Sequence, residues 1–457
     1  MKFKKIAVCL ALSLVLTACG TSADVVNEPV TENTETEVPE DPVEDQPEVQ
    51  PEEKPEEKPE EKPEEKPEEK PEEKPEEQPE AEPLTFIEDA GTTTLNGYTV
   101  KPIPNNEAFE FVSGMRGGMN LGNAFDAQDC TWLTDEMEYE SAWCGAKTTT
   151  QYIDSLCNEG FNVIRIPVSW HNHVDGNFNI SSQWLDRVTE VVDYCLEKDM
   201  YVIINMHHDI NKNYFYPDSA HLDNTLKYTE AIWSQLSERF KDRSEKLIFE
   251  CINEPRLRDT DVEWWYNSET DKVIDAYNAL MEANQCFVDT VRASGGNNAD
   301  RYLMVCGYCD MPAATTSENF SLPNDPAPGR LMVTVHSYRP YSFAGEIPGT
   351  SSFGQVEMNE NKQIFSSLYN TYVANGIPVI MGEYGCVDKK NAADRLAYFE
   401  FMGECSALYS IPIIVWDNNA FNTGNDPMAE SFGFIDRATG AVKLQELVDA
   451  MTATYKE

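Results

Sequence analysis

Basic residues are scarce in this chain: 35 Lys and Arg stand against 80 Asp and Glu in 457 residues, a formal charge of −45. Nucleic acid and anionic membrane surfaces both bind through positive charge, so neither is an expected partner. A neutral or cationic substrate is expected instead. Histidine is rarer still, with 6 residues. Long apolar runs are missing; the N-terminal run over 6–16 is too short to span a bilayer as a stable helix. No glycine-rich phosphate fingerprint follows the first apolar run of the globular part, which counts against a nucleotide-binding open sheet. The 12 cysteines are an ordinary density for this length and decide nothing alone.

The N-terminus reads as an address. Lys2, Lys4 and Lys5 precede the apolar run, so residues 1–18 have the form of an export signal. Leu16-Thr-Ala-Cys19 resembles the bacterial lipoprotein box, which implies lipidation of Cys19 and attachment to the outer face of the cell membrane. An ordinary signal peptide with a coincidental cysteine is the alternative. Residues 19–83 then offer almost nothing that could form a core. Six Pro-Glu-Glu-Lys units occupy 51–74, and 20–83 carries 26 acids against 6 Lys. A proline at every fourth position forbids a continuous helix, so this stretch is expected to be a disordered spacer. At about 3.1 Å per residue it could reach on the order of 200 Å.

From residue 84 the composition turns globular. Apolar runs at 118–121, 163–166, 202–205, 248–252, 302–305, 332–336, 379–381 and 413–415 read as strands. Helical patterns lie between them at 150–156, 181–198, 226–240, 272–292, 362–374, 393–405 and 444–455. The clearest is 181–198, with Leu185, Val188, Val192 and Cys195 on one face and Ser181 as its cap. Eight strands alternating with helices predict an α/β fold, a (β/α)8 TIM barrel over 84–457. An open doubly wound sheet is the rival.

Two of the runs end in acids. Leu247-Ile-Phe-Glu-Cys-Ile-Asn-Glu-Pro-Arg256 begins as an apolar run and ends in Asn253-Glu254, and Pro255 cannot continue a ladder. Ile377-Pro-Val-Ile-Met-Gly-Glu383-Tyr-Gly385 has the same shape. Carboxylates at two strand ends could face each other across a cleft, the arrangement that cleaves glycosidic bonds. Either Glu alone could equally cap a helix or pair with an Arg. Other strand ends carry polar or aromatic groups too: Asn123, Arg165, His207-His208-Asp209, His336-Ser-Tyr338 and Trp416-Asp417-Asn418.

These motifs, in order from about residue 111 to 455, resemble glycoside hydrolase family 5, the large cellulase family. Asn-Glu-Pro, Gly-Glu-Tyr, Arg-Ile-Pro-Val, His-His-Asp and His-x-Tyr carry the likeness. Met119-Asn-Leu-Gly-Asn-Ala-Phe-Asp126, Val168-Ser-Trp-His-Asn-His173 and Trp264-Trp265-Tyr266 look like subfamily 4 endoglucanases and xyloglucanases. The resemblance implies retention of configuration and no metal or organic cofactor. It implies Glu254 as general acid/base, Glu383 as nucleophile, and Asn253 as the contact to the sugar 2-hydroxyl. Arg165 and Tyr338 match the partners of the nucleophile, and His207 and His336 match cleft histidines. Trp416 matches the aromatic floor under the sugar, and Asn123 and His208 are further candidates for substrate contact. A cycle of this kind leads to the expectation that the Glu254 pKa is raised before attack, with the Glu383 charge helping.

The expected activity is thus a retaining endo-β-1,4-glucanase acting on a β-glucan, as a monomer. Related xyloglucanase, lichenase or mannanase specificity remains open, as does a non-catalytic glycan-binding lipoprotein. A metal hydrolase using His171, His173, His207, His208 and His336 is the third reading. It lacks a bridging Lys or acid at fixed spacing. Trp143-Cys-Gly-Ala146 departs from the family's Trp-Gly-Asn-Pro, which puts the neighbouring subsites in doubt. Cys130 and Cys144 flank that stretch and could pair in an exported protein. Cys306-Gly-Tyr-Cys309 has redox spacing but reads as a strand-end coincidence. Trp264, Trp265, Tyr266 and Tyr214-Phe-Tyr216 could line a groove or pack in loops.

Overall fold

The structure is a computed structural model that describes residues 84–87, 94–95, 98–265 and 270–454. The stretches expected to be an export signal and a proline-rich spacer, together with Cys19 and Tyr266, lie outside the described residues. Eight parallel strands close a barrel: β1 Gly118–Asn120, β2 Val163–Ile166, β3 Tyr201–Asn205, β4 Leu247–Glu250, β5 Leu303–Cys306, β6 Leu331–Ser337, β7 Val379–Tyr384 and β8 Ile413–Val415. Closure comes from β8 pairing with β1, Ile414 opposite Gly118 and Val415 opposite Met119. All eight expected runs therefore form strands, and the open-sheet rival is excluded.

Helices α1 Thr150–Glu159, α2 Ser182–Glu197, α3 Leu222–Phe240, α4 Asp271–Ala293, α5 Pro312–Thr315, α6 Gln355–Thr371, α7 Ala392–Tyr409 and α8 Gln445–Ala453 follow the strands in turn. After β5 the helix shrinks to a single turn. In α2, Trp184, Leu185, Val188, Val191, Val192 and Cys195 are buried at helical spacing. Truncating Val188 or Val192 inside such a seam costs a few kcal/mol, about 2–5 for larger aliphatics. Ser181 occupies the cap position, yet its hydroxyl donates to Glu136 Oε1 (2.6 Å) rather than serving the helix. Helix α6 begins seven residues earlier than its apolar pattern, because Glu357 reaches back to the Gly354 N–H (2.9 Å). Gly160, at φ 99°, ends α1 in the left-handed conformation that glycine adopts without strain.

Two departures shape the site. Strand β4 stops at Glu250, so Glu254 lies four residues beyond it and not on its last residue. Its backbone is left-handed, φ 43°, which costs a non-glycine residue about 1–2 kcal/mol. The second is a bulge in β7. Against β6, Val335 faces Met381 but His336 faces Glu383; against β8, Ile413 faces Met381 but Val415 faces Tyr384. One extra residue in β7 opposes both neighbours, and such a bulge re-aims the side chains beyond it. Gly382 sits there: a Cβ on it would lie 2.9 Å from Thr334 Oγ1.

Candidate active site

The strand register stacks polar side chains in one layer inside the barrel. Asn120 lies beside Arg165, and Asn205 beside Glu250. All four are fully buried. Buried polar groups must bond to one another, and here they converge on Arg165. Its Nε donates to Glu250 Oε2 (2.6 Å), Nη1 to Asn120 Oδ1 (2.9 Å) and Glu383 Oε1 (2.8 Å), and Nη2 to Asn253 Oδ1 (2.6 Å). Glu250 is further held by Asn205 Nδ2 (3.0 Å) and Thr334 Oγ1 (2.8 Å). Burial opposes the guanidinium charge, but Glu250 and Glu383 outweigh it and keep Arg165 cationic. Losing one partner of so buried a network costs about 3–5 kcal/mol.

Glu383 receives a bond on each oxygen, from Arg165 on Oε1 and from the Tyr338 hydroxyl on Oε2 (2.8 Å). Burial, then the Glu383 charge and bond, push the Tyr338 phenol well up, so it stays a donor. Glu254 has different company. His336 Nδ1 lies 3.0 Å from its Oε1, Arg256 Nη1 lies 3.7 Å from Oε2, and its backbone N–H donates to Asp310 Oδ2 (2.7 Å). An oxygen of Glu254 and an oxygen of Glu383 come within 4.8 Å of each other.

The Glu254 carboxyl is not raised. Burial would raise it, but the bond and charge of His336, with Arg256 and His208, hold it below the usual carboxylate range. The imidazolium at 3.0 Å, rather than the Glu383 charge, decides the direction. Burial would lower His336, yet Glu383, Asp310 and the Glu254 bond carry it up to about 9. The two side chains thus hold one proton between them at neutral pH, resting mainly on the histidine.

The remaining candidates divide. His207 is buried and lies parallel to Trp416, centroids 5.8 Å apart. The Asn205 amide N–H faces His207 Nδ1 (3.2 Å), so the ring proton sits on Nε2. Burial, then His208 and Arg165, hold that ring neutral. Asn253 commits its carbonyl to Arg165, which leaves its NH2 for a ligand. Trp416 is 8% exposed and packs with Val387, Phe432 and Tyr338. His208 sits 3.7 Å from Asp126 Oδ2 and 5.9 Å from the Trp143 ring. Asn123, half-buried with φ 60°, bonds to none of these groups.

The structure decides several of the loop alternatives. Phe215 and Tyr216 are buried, with the Tyr216 hydroxyl on Arg258 O (2.8 Å), so only Tyr214 of that trio is partly open. Trp264 and Trp265 are exposed, and the Arg256 guanidinium lies 4.2 Å over the Trp264 ring. Cys130 and Cys144 are free thiols, and Cys144 donates to Glu140 O and Ala146 O. Cys306 and Cys309 are also free, bonded to Ile252 O and Glu263 O. Asp417 pairs with buried Arg437 (3.1 Å) and receives the Phe434 N–H, a scaffold role.

The five histidines do not gather at one point. His173 stacks on Trp184 at 3.7 Å, and His171 lies between Asp129 and Asp209. Among the described residues two trios could hold an ion, Asp126 with His207 and His208, and Glu254 with His336 and Glu383. In the second, Glu383 already accepts from Arg165 and Tyr338, and the cation beside it opposes a metal. Sequence reasoning missed Asn120, Asn205, Glu250, Thr334 and Asp310. The signal was there for Glu250, a charge inside an apolar strand run.

Comparison with known proteins agrees with this fold. Residues 125–422 match the family model described as cellulase (glycosyl hydrolase family 5). Endoglucanase B of Ruminococcus albus is 40% identical over 344 residues, covering 74% of this chain and 79% of that protein. A family 5 lichenase from Caldicellulosiruptor sp., solved with cellotetraose, superposes with a TM-score of 0.76 at 44% identity, over 78% of this chain and 97% of that one. A GH5-4 broad specificity endoglucanase from Ruminococcus champanellensis, with bound cellotriose, gives 0.70 at 38%, over 77% and 99%.

Proposed function

The chain belongs to the cellulase family, glycosyl hydrolase family 5, and from that premise we propose that it is a retaining endo-β-1,4-glucanase with Glu383 as nucleophile and Glu254 as general acid/base. The observation that carries this is the spacing of the two carboxylates, with oxygens within 4.8 Å. Retaining pairs stand about 5–5.5 Å apart, whereas inverting pairs need about 6.5–9.5 Å to admit a water. Glu383, ionised between Arg165 and Tyr338, attacks the anomeric carbon. The glycosidic oxygen takes the proton of the Glu254–His336 pair through Glu254 and departs. The pair is then proton-poor and withdraws a proton from the incoming water, which releases the sugar from Glu383 with its configuration restored. Asn253 NH2 and His207 Nε2–H are donors for ring hydroxyls, and Trp416 is a platform for the apolar sugar face.

The substrate class is a β-1,4-linked glucan, supported by the cello-oligosaccharides bound in the two similar structures. Hydrolysis of soluble cellulose derivatives, lichenan, xyloglucan and mannan, with product anomers followed by NMR, tests the reading. Release of the β-anomer first is expected. Initial α-anomer, or no reducing ends from any of the four, overturns it, the latter in favour of a glycan-binding protein.

For the N-terminal part we propose a signal at 1–18, a lipid on Cys19, a spacer over 19–83 and a catalytic domain over 84–457, acting as a monomer at the outer face of the cell membrane. The lipobox match and the core-free composition support this. Cys19→Ala is expected to release the protein from the membrane fraction; undiminished retention contradicts anchoring.

A further inference from the structure

Behind the Glu254–His336 pair lies a third carboxyl. Asp310 is fully buried on the loop after β5 and stands between the Glu254 backbone and the His336 ring. Its Oδ2 accepts the Glu254 backbone N–H at 2.7 Å and faces His336 Nε2 at 3.5 Å. Neither end of the contact is relaxed. Glu254, Cys309 and Asp310 all have left-handed backbones, φ 43°, 56° and 52°. Non-glycine residues persist in that region only where surrounding structure holds them. A second bond, Cys309 N–H to Pro255 O (2.8 Å), stitches the same two loops together.

We propose that Asp310 is a positioning residue of the acid/base system, whose carboxylate fixes the Glu254 loop and keeps the far nitrogen of His336 protonated. This rests on the reading of Glu254 as the acid/base. An imidazolium with carboxylates at both nitrogens is stabilised from two sides, so its proton survives into alkaline solution and remains available through Glu254. The charges facing this array are Glu250, Glu254 and Glu383 on one side and Arg165, Arg256 and His208 on the other. The thiols of Cys251, Cys306 and Cys309 around Asp310 are pushed well up by burial and stay neutral. Burial, offset in part by His336, brings Asp310 itself to about 7, so it is charged through the range where His336 titrates.

The sign follows. Removing the Asp310 charge lowers the His336 pKa, and the pair loses its proton at lower pH. In Asp310→Asn the side-chain oxygen can still accept the Glu254 N–H, while its NH2 can donate to a neutral His336 Nε2. The alkaline limb should move to lower pH, and the loss of plateau rate should be smaller than in Asp310→Ala. Asp310→Ala loses the acceptor as well and should also lower plateau kcat on the order of tenfold.

The test is kcat/KM against pH on a neutral soluble β-glucan, for the full chain and for both variants, with thermal unfolding run in parallel. The wild-type limb is expected near 9, and that of Asp310→Asn lower by about one unit or more, the shift an opposite charge at this range produces. Asp310→Ser, smaller but still an acceptor, carries the same limb prediction if the Asn variant does not fold. Limbs that coincide with the wild type, in folded variants, overturn the assignment to Asp310 while leaving Glu254 as acid/base intact. A wild type without glucanase activity instead overturns the functional reading beneath it.

Discussion

Glu383 and Glu254 are the same residue type a few ångströms apart, held in opposite ways. Glu383 belongs to a strand, re-aimed by the bulge at Gly382, with both oxygens bonded by groups that do not titrate near neutral pH. Glu254 sits on a strained loop past its strand, with 19% of its side chain exposed against 6% for Glu383. Its partner His336 is a base of similar reach. A nucleophile should keep its position, and the barrel wall provides that. An acid that becomes a base must exchange a proton with its surroundings, and a loop carboxylate bonded to an imidazole can.

Mutations should break this asymmetry unequally. Glu383→Ala removes the covalent step, and kcat should fall on the order of 10⁵-fold or more for aryl cellobiosides with good and poor leaving groups alike. Glu254→Ala should cost about 10²–10⁴-fold on polysaccharide. Its loss in the first step should nearly vanish on a dinitrophenyl cellobioside, measured as a pre-steady-state burst. Equal losses on both substrates would erase the distinction.

Glu250→Gln probes the wall itself. The amide still accepts one Arg165 bond but no longer balances its charge, so unfolding free energy should drop by about 1–3 kcal/mol in denaturant titration. An unchanged midpoint would mean the Arg165 network does not stiffen Glu383. On the loop side, His336 ordinarily titrates near 6.5 and here near 9. The folded state therefore binds its proton more tightly, and that stabilisation is complete below about 6.5 and lost as pH rises through 9. The wild-type Tm should decline over this window more than that of His336→Asn; parallel curves would show that the pair is not coupled to folding. Deleting 49–83 should leave the rate on soluble glucan unchanged, since those residues offer no core contacts.

The barrel was legible because its strands are mostly apolar runs and its long helices keep a clean 3.6-residue period, as in α2. Both glutamates were legible from where those runs turn polar. What escaped was polar chemistry inside the runs. Asn120, Asn205 and Glu250 look like flaws in a hydrophobic pattern until the closed barrel turns them toward Arg165. Asp310 follows Cys309 in a loop with no motif, and only the approach of the β4 and β5 loops gives it a purpose. The bulge in β7 was invisible too, because Met381-Gly-Glu383 alternates acceptably as a plain strand. A raised pKa at Glu254 was expected from the pair alone, and the histidine two strands away reverses it.

The division of labour is tested most directly by azide rescue of the two alanine variants on a dinitrophenyl β-cellobioside, with the product anomer read by NMR. Glu254→Ala keeps the glycosyl ester on Glu383, so azide should attack it and give the β-glycosyl azide. Glu383→Ala has no ester, so azide should enter the vacated face directly and give the α-glycosyl azide. The same anomer from both variants, or the two reversed, would contradict Glu383 as nucleophile and Glu254 as acid/base.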